Sequence, residues 1–258
     1  MFDNSPNGCT IVVDRPAIIK NHVAVKEWAA AASAQLAICT YAGGYKKKLT
    51  AESPDRTQAP LWTDEHKNLF EAMHNLVPEG NRLDIGALPS RLSGTVPRLW
   101  HWGYSEGLQM IDKTPNGLGL WKLLAEGQID WMVVDSAKLA AAIRSIKAVE
   151  QVSLTAMTAF LENLDAGPLE KCRDAGCLFY VGTQHKTEVI YAPPAWICIE
   201  RVVAGLLIYG VRQAVIWNHT ACASSYEELI GIMANTSGVT STEKMREVLA
   251  WMRPEDSG

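Results

Sequence analysis

Residues 177–217 decide the fold of this chain, and they read CLFYVGTQHKTEVIYAPPAWICIERVVAGLLIYGVRQAVIW. Within residues 186–192, β-branched and aromatic side chains alternate between two faces, which is typical of a half-buried strand. Pro193 and Pro194 then remove two backbone N–H donors, so a corner is favoured over a continuous strand ladder. The whole stretch predicts three or four consecutive strands arranged around a Pro-Pro corner.

The strand after the corner places Trp196, Cys198 and Glu200 on one face. The almost wholly apolar run 202–211 follows and ends at Arg212. That run falls far short of the roughly 20 apolar residues that a membrane-spanning helix needs. It therefore predicts a buried strand, or two strands broken at a glycine.

Composition argues against several classes of protein. The chain has 258 residues, of which 48% are hydrophobic and 20% charged, as in ordinary globular proteins. A net charge of −4 argues against partners held by their negative charge, such as nucleic acid and acidic membrane surfaces. The N-terminus shows no charged and apolar leader of a secreted protein, and the six cysteines are scattered, several of them in apolar surroundings. We therefore expect an intracellular protein, cytoplasmic or nuclear, with reduced thiols.

Upstream of residue 177, further strands are predicted by alternation at 97–104 and at 107–111. Two more, at 121–124 and 131–135, flank a turn at Glu126-Gly127. Helices are predicted at 23–37, from Thr63, at 136–151, 153–164 and 169–175, and after residue 217. The last of them carries an apolar stripe of Met245, Val248, Leu249 and Met252, which is either internal packing or a face for a homodimer or another protein partner.

The order of strand, Pro-Pro-Ala-Trp corner, strand and long apolar strand resembles the closing half of a JmjC-type cupin, a double-stranded β-helix. In that family a motif similar to Pro-Gly-Gly-Trp-Trp-His follows a strand, and its His is the last iron ligand. Pro193, Ala195 and Trp196 match this motif, and Cys198 stands at the position of the His.

A second part of the resemblance lies further upstream. Trp121, Gly127 and Trp131 match a landmark Trp, a Gly and a second Trp of the family. The resemblance then places the iron-binding His-x-Asp positions at Asp112 and Thr114. The lysine that holds 2-oxoglutarate in part of the family falls on Ile129.

The resemblance implies an α+β protein with a JmjC-like double-stranded β-helix and with N-terminal, inserted and C-terminal helices. Its parts are a mainly helical region at 1–94, a barrel at 95–217 with a helical insertion at about 136–176, and helices at 218–258. Tryptophan is abundant, and an aromatic pocket is conceivable from a set of residues in the barrel region: Trp100, His101, Trp121, Trp131, Trp196 and Arg212.

An oxygenase of this superfamily needs two imidazoles and one carboxylate around iron. Asp112, Thr114 and Cys198 do not supply that set, and Ile129 cannot pair with a carboxylate. The leading hypothesis is therefore a non-catalytic, cupin-derived binding or structural module without a cofactor. The alternative is an Fe(II)/2-oxoglutarate-dependent oxygenase that recruits His101 and His185 as metal ligands.

Overall fold

The computed structural model describes residues 11–30, 64–82, 99–104, 109–112, 117–215, 220–239 and 242–253. These residues form an α+β protein in which an antiparallel sheet is flanked by helices. The strands are β1 Ala17–Ile19, β2 Leu99–Tyr104, β3 Gln109–Asp112, β4 Gly119–Asp135, β5 Phe179–His185, β6 Val189–Ala192 and β7 Trp196–Val215. The helices are α1 Asp64–Asn75, α2 Ser136–Lys147, α3 Leu154–Glu162, α4 Ala166–Asp174, α5 Thr220–Ala234 and α6 Glu243–Met252, with a further helical segment at 23–30 and a 3-10 turn at Glu79–Asn81.

The long strands β4 and β7 pair along most of their length and organise the sheet. The beginning of β4 also pairs with β6, whereas its end pairs with β5. On the far side of β7, β2 pairs with its end and β3 with its beginning. Two half-sheets result. We call β1-β6-β4-β7-β2 the first half-sheet and β5-β4-β7-β3 the second half-sheet.

A bend in β4 separates the two half-sheets. The register with β7 shifts between Leu124 and Ile129, and Gly127 adopts a φ of 94° there. A register shift of this kind means that one strand carries extra residues, a β-bulge, which bends and twists the strand without ending it. The sequence-based prediction of two strands around a turn at Glu126-Gly127 is therefore wrong, because one bulged strand runs through. Of the two alternatives for residues 202–211, a single strand agrees with the structure, because β7 is continuous, although its register with β4 shifts between Tyr209 and Ala204.

The two half-sheets pack face to face. Lys122 in the first half-sheet lies opposite Arg212 on β7, yet its side chain forms an ion pair with Glu200, twelve positions away on the same strand. At about 3.3 Å per residue, a flat strand would separate these positions by about 40 Å. The contact is possible only because both long strands fold over, so that the half-sheets enclose a common interior.

Apolar side chains fill that interior from both half-sheets. The interior cluster comprises Ile18, Leu120, Leu124, Ile129, Trp131, Val133, Ile190, Ala192, Trp196, Cys198 and Val202. The outer face of the first half-sheet packs on residues 11–29 and α1, through Leu123 and Tyr191 among others. The outer face of the second half-sheet packs on α2, α3 and α4. The helical insertion between β4 and β5 thus covers the strands beside it.

The Pro-Pro corner leads into β7 as the sequence predicts. Ala195 adopts a left-handed φ of 64°, and its N–H donates to the carbonyl of Gly117 at 2.8 Å. The Ala195 carbonyl in turn accepts from the N–H of Ser136 at 3.1 Å, which links the corner to the start of α2. Gly117 has a φ of 69°, and a Cβ there would collide with Leu229 on α5. The corner is therefore built against β4, α2 and α5 together.

The inserted helices are confirmed, although two of their starts differ from the prediction. Asp135, rather than Ser136, caps α2 by accepting from the N–H groups of Ala137 and Lys138. Helix α4 begins before Pro168 instead of after it. Proline is tolerated there because first-turn N–H groups have no partner within the helix.

The C-terminal helices are also confirmed, but their apolar stripe is internal. Met245, Val248 and Met252 are buried against α5, and Leu249 packs partly against the same cluster. Of the alternatives given for this stripe, internal packing therefore agrees with the structure, and a homodimer face there is not supported.

Candidate functional site

A buried polar cluster lies in the otherwise apolar interior between the half-sheets. Lys122 alternates with Leu120 and Leu124 on β4, so strand geometry directs all three side chains inward. Glu200 shares its face of β7 with Trp196 and Cys198, as the alternation in the sequence predicts. Two opposite charges therefore enter the same core from the two half-sheets.

The cluster is held by an ion pair, a ring contact and three hydrogen bonds. Lys122 and Glu200 form the ion pair, with only 0% and 2% of their side chains exposed. The Lys122 Nζ also lies 5.0 Å from the centre of the Trp131 ring. Trp131 Nε1 donates to Gln184 Oε1 at 3.0 Å. The Gln184 Nε2 group donates to the carbonyls of Lys122 at 2.9 Å and Glu188 at 2.8 Å.

Such an arrangement compensates a large desolvation penalty. Each buried ion loses several kcal/mol of hydration, which only a close partner and further polar contacts return. Lys122 has the carboxylate of Glu200 and the electron-rich face of Trp131, which attracts a cation. The charged groups of Lys122 and Glu200 thus interact with each other across the interior.

The residues at the family's metal-ligand positions are partly brought together. Asp112 on β3 lies directly opposite Cys198 on β7. Cys198 is buried in the interior cluster, and Ile129, at the lysine position, is fully buried there as well. Thr114 lies outside the described residues.

This donor set does not fit a non-haem iron site. Such a site takes two neutral imidazoles and a carboxylate, whereas Cys198 offers a thiol and the nearby Glu200 carboxylate is paired with Lys122. Throughout the parts of the chain that the structure describes, no group of three or more His, Cys, Asp or Glu side chains is arranged to hold a metal. No catalytic step through iron follows from this geometry.

The two histidines of the alternative hypothesis sit in different half-sheets. His101 occupies a position on β2 opposite Val211, and its side chain lies outside what the structure describes. His185 ends β5, opposite Gln128, and is exposed. Its neighbour Gln184 faces the interior, so strand alternation directs His185 outward. The structure therefore does not bring His185 into the interior.

Only part of the expected aromatic pocket assembles. Trp131 and Trp196 both belong to the interior cluster. Trp121 lies on the opposite face of β4, where its ring centre is 4.8 Å from that of Tyr191. The bulge at 124–129 shifts the alternation, so Trp121 and Trp131 face opposite ways. The remaining members, Trp100 and Arg212, are described by strand register alone, in which they lie opposite each other.

A second polar group lies on the outer surface of the second half-sheet. Arg201 donates to Asp130 at 2.8 Å, and the Thr183 hydroxyl donates to the same carboxylate at 2.7 Å. Burial alone would raise the pKa of Asp130, but the hydrogen bonds from Arg201 and Thr183 outweigh it and lower that pKa below its ordinary value of 3.8. These side chains border an open cleft of about 510 Å³ that Met132 and Val181 also line.

The buried thiols of Cys177 and Cys222 have low reactivity. Burial is the main cause that raises the pKa of Cys177 to about 12, with a further contribution from the neighbouring Cys172. Burial likewise raises the pKa of Cys222 to about 12. Because the thiolate is the nucleophile and the metal-binding form, neither thiol reacts readily near neutral pH. Four cysteines lie among the described residues, and all four are free and buried, as expected; Cys9 and Cys39 lie outside the described residues.

Sequence reasoning missed Lys122 and Gln184 as members of the interior cluster. The available signal was a lysine at an inward position of an apolar strand, together with a glutamate at an inward position of another. Two such charges of opposite sign indicate a buried pair. Gln184 carried no comparable signal, since its neighbours in β5 are mostly polar or small.

A comparison with protein-family models finds no match, and a comparison with curated proteins finds none either. Among the helices in the described parts of the chain, none has the length and apolar character needed to cross a membrane.

Proposed function

We propose that this chain is a cupin-like jelly roll that serves as a non-catalytic binding or structural module. The observation that carries the proposal is the content of its interior. Where the resemblance expects iron ligands and a 2-oxoglutarate lysine, the chain has Cys198 opposite Asp112 and a buried Ile129. The same interior holds the buried Lys122–Glu200 pair.

The strand order supports the jelly-roll part of the proposal. Counting β4 and β7 as two strands each at their bends makes eight strands with β2, β3, β5 and β6. The first then pairs with the eighth, the eighth with the third, and the third with the sixth. The second pairs with the seventh, the seventh with the fourth, and the fourth with the fifth. This is the pairing order of a double-sheet jelly roll.

The non-catalytic part rests on chemistry. A cupin oxygenase keeps its interior open for metal, 2-oxoglutarate and oxygen. Here tryptophans and aliphatic side chains fill the interior, and the ion pair satisfies its charges internally. A module of this kind acts through its surface rather than through its interior.

The test is the metal content of protein purified anaerobically with iron supplied, combined with an assay of 2-oxoglutarate turnover. We expect iron far below one equivalent and no turnover. Iron near one equivalent with turnover would overturn the proposal and favour the oxygenase alternative. A His101→Ala/His185→Ala variant would then lose its iron if those residues were the recruited ligands, and a Cys198→Ala variant serves as a control for binding by the thiol.

A further inference from the structure

Within the described part of the chain, strand β5 is an edge strand of the second half-sheet. It pairs with β4 on one side, and no described residue pairs with its other side. A free strand edge presents a row of N–H and C=O groups that can pair with another strand. The contrasting edge strand β1 is three residues long, fully buried, and flanked by Pro16 and Lys20.

The β5 edge lacks the features that normally prevent such pairing. Its sequence FYVGTQH contains no proline, lysine, arginine or acidic residue. Residues Phe179 to His185 pair with β4 without a register shift, so no bulge interrupts β5. Natural edge strands are usually protected by charge, proline, bulges or shortness.

Two exposed apolar side chains also lie beside this edge. Val181 is 50% exposed and Leu178, just before the strand, is 53% exposed. Val181 also borders the open cleft on the outer face of the second half-sheet. Apolar surface beside an unprotected edge is typical of an interaction site.

We propose that β5 is a homodimerisation strand, which pairs antiparallel with β5 of a second copy about a two-fold axis at Gly182. With the axis at Gly182, even-numbered residues lie opposite even-numbered ones and odd-numbered residues opposite odd-numbered ones. The backbone N–H and C=O groups that point away from β4 in one copy therefore face the same groups of the other copy. It also places Val181 opposite Thr183 of the second copy, a favourable β-branched pair. No charged residue of one strand meets a like charge of the other, which favours a second copy as the occupant.

The association is a weak one, because a single strand pair buries less than the surface of a standard stable interface. We expect a monomer–dimer equilibrium in the micromolar range, which sedimentation from about 1 to about 300 µM detects. Hydrogen exchange measured at both ends of that range should show added protection of the amides of residues 179–185 at high concentration.

Two double variants test the geometry with the same number of new charges. Val181→Lys/Thr183→Lys places lysines opposite each other across the axis, and we expect the dimer to be lost. Val181→Glu/Thr183→Lys places the new glutamate of each copy opposite the new lysine of the other, and we expect dimerisation at least about tenfold stronger than in the first variant. Val149→Lys, at a 41% exposed site that follows α2 and does not belong to β5, serves as a control and should dimerise like the parent chain.

Three results would overturn the proposal. The chain could remain monomeric at all concentrations. The amides of β5 could be protected already in the dilute monomer, which means that the chain itself or a bound peptide covers the edge. Both double variants could dimerise equally, which places the contact elsewhere.

Discussion

Two ion pairs link β4 to β7, one in the interior between the half-sheets and one on the outer surface of the second half-sheet. Asp130 and Arg201 are direct register partners, with 32% and 62% of their side chains exposed. Lys122 and Glu200 are distant in register and fully enclosed. The outer pair therefore needs only the local strand pairing, whereas the inner pair exists only when the two half-sheets close on each other.

The difference lies mainly in the cost of losing one partner. Water solvates an exposed charge that loses its partner, so surface pairs contribute between about 0 and 1 kcal/mol. Water cannot reach a buried charge that loses its partner, so removing one member of a buried pair lowers the free energy of unfolding by about 3–5 kcal/mol. The same two strands thus carry one pair in which the loss of a single member is costly and one in which it is nearly neutral.

The largest effect is expected from Lys122→Met, which leaves the Glu200 carboxylate buried without its lysine. We expect the free energy of unfolding to fall by about 3–5 kcal/mol in urea titrations. The double variant Lys122→Met/Glu200→Leu, which removes both charges, should recover most of that loss. A single variant as stable as the parent chain would show that the two half-sheets do not close around this pair.

An intermediate effect is expected from Trp131→Phe, which removes the Nε1–H donor to Gln184 but keeps an aromatic ring near Lys122. An amide oxygen left buried without its donor costs about 1–3 kcal/mol of unfolding free energy. Trp196→Phe is the matched control, because it removes the same volume from the same cluster. Equal losses in both variants would show that packing alone, and not the hydrogen bond, accounts for the cost.

The smallest effect is expected from Asp130→Asn on the outer surface, at most about 1 kcal/mol at neutral pH. The folded-state pKa of Asp130 is lowered, so its contribution is present above the unfolded-state pKa and is lost as pH falls through the folded-state pKa. The stabilities of the parent chain and the variant should therefore converge in strong acid. A carboxyl titration by NMR measures the pKa directly, and a value at or above 3.8 would contradict this account.

The sequence predicted local features well because their causes are local. Alternation placed Trp196, Cys198 and Glu200 on one face, and the structure has all three buried in the interior. Proline chemistry marked the corner before β7. The inserted helices follow from alanine-rich and capped segments, although α2 ends at Lys147 instead of residue 151 and α4 starts at Ala166 instead of residue 169.

The assembly of the candidate site could not be predicted in the same way. The bulge at 124–129 reverses which side chains of β4 face inward, and no residue type in that segment demands it. Trp121 was therefore grouped with Trp131 although they belong to different cores. The contact of Lys122 with Glu200 depends on the folding of two long strands, which local patterns do not report.

The bond between Tyr191 and the N-terminal segment bears on the order of events during synthesis. The Tyr191 hydroxyl donates to the carbonyl of Val13 at 2.7 Å across 178 positions of sequence, and β1 pairs with β6 beside it. Contacts of such sequence separation close slowly, because a long loop must be ordered first. Residues 11–19 leave the ribosome long before their docking strand exists. Their apolar side chains remain exposed to solvent during that interval, and such exposed apolar surface is what a chaperone binds.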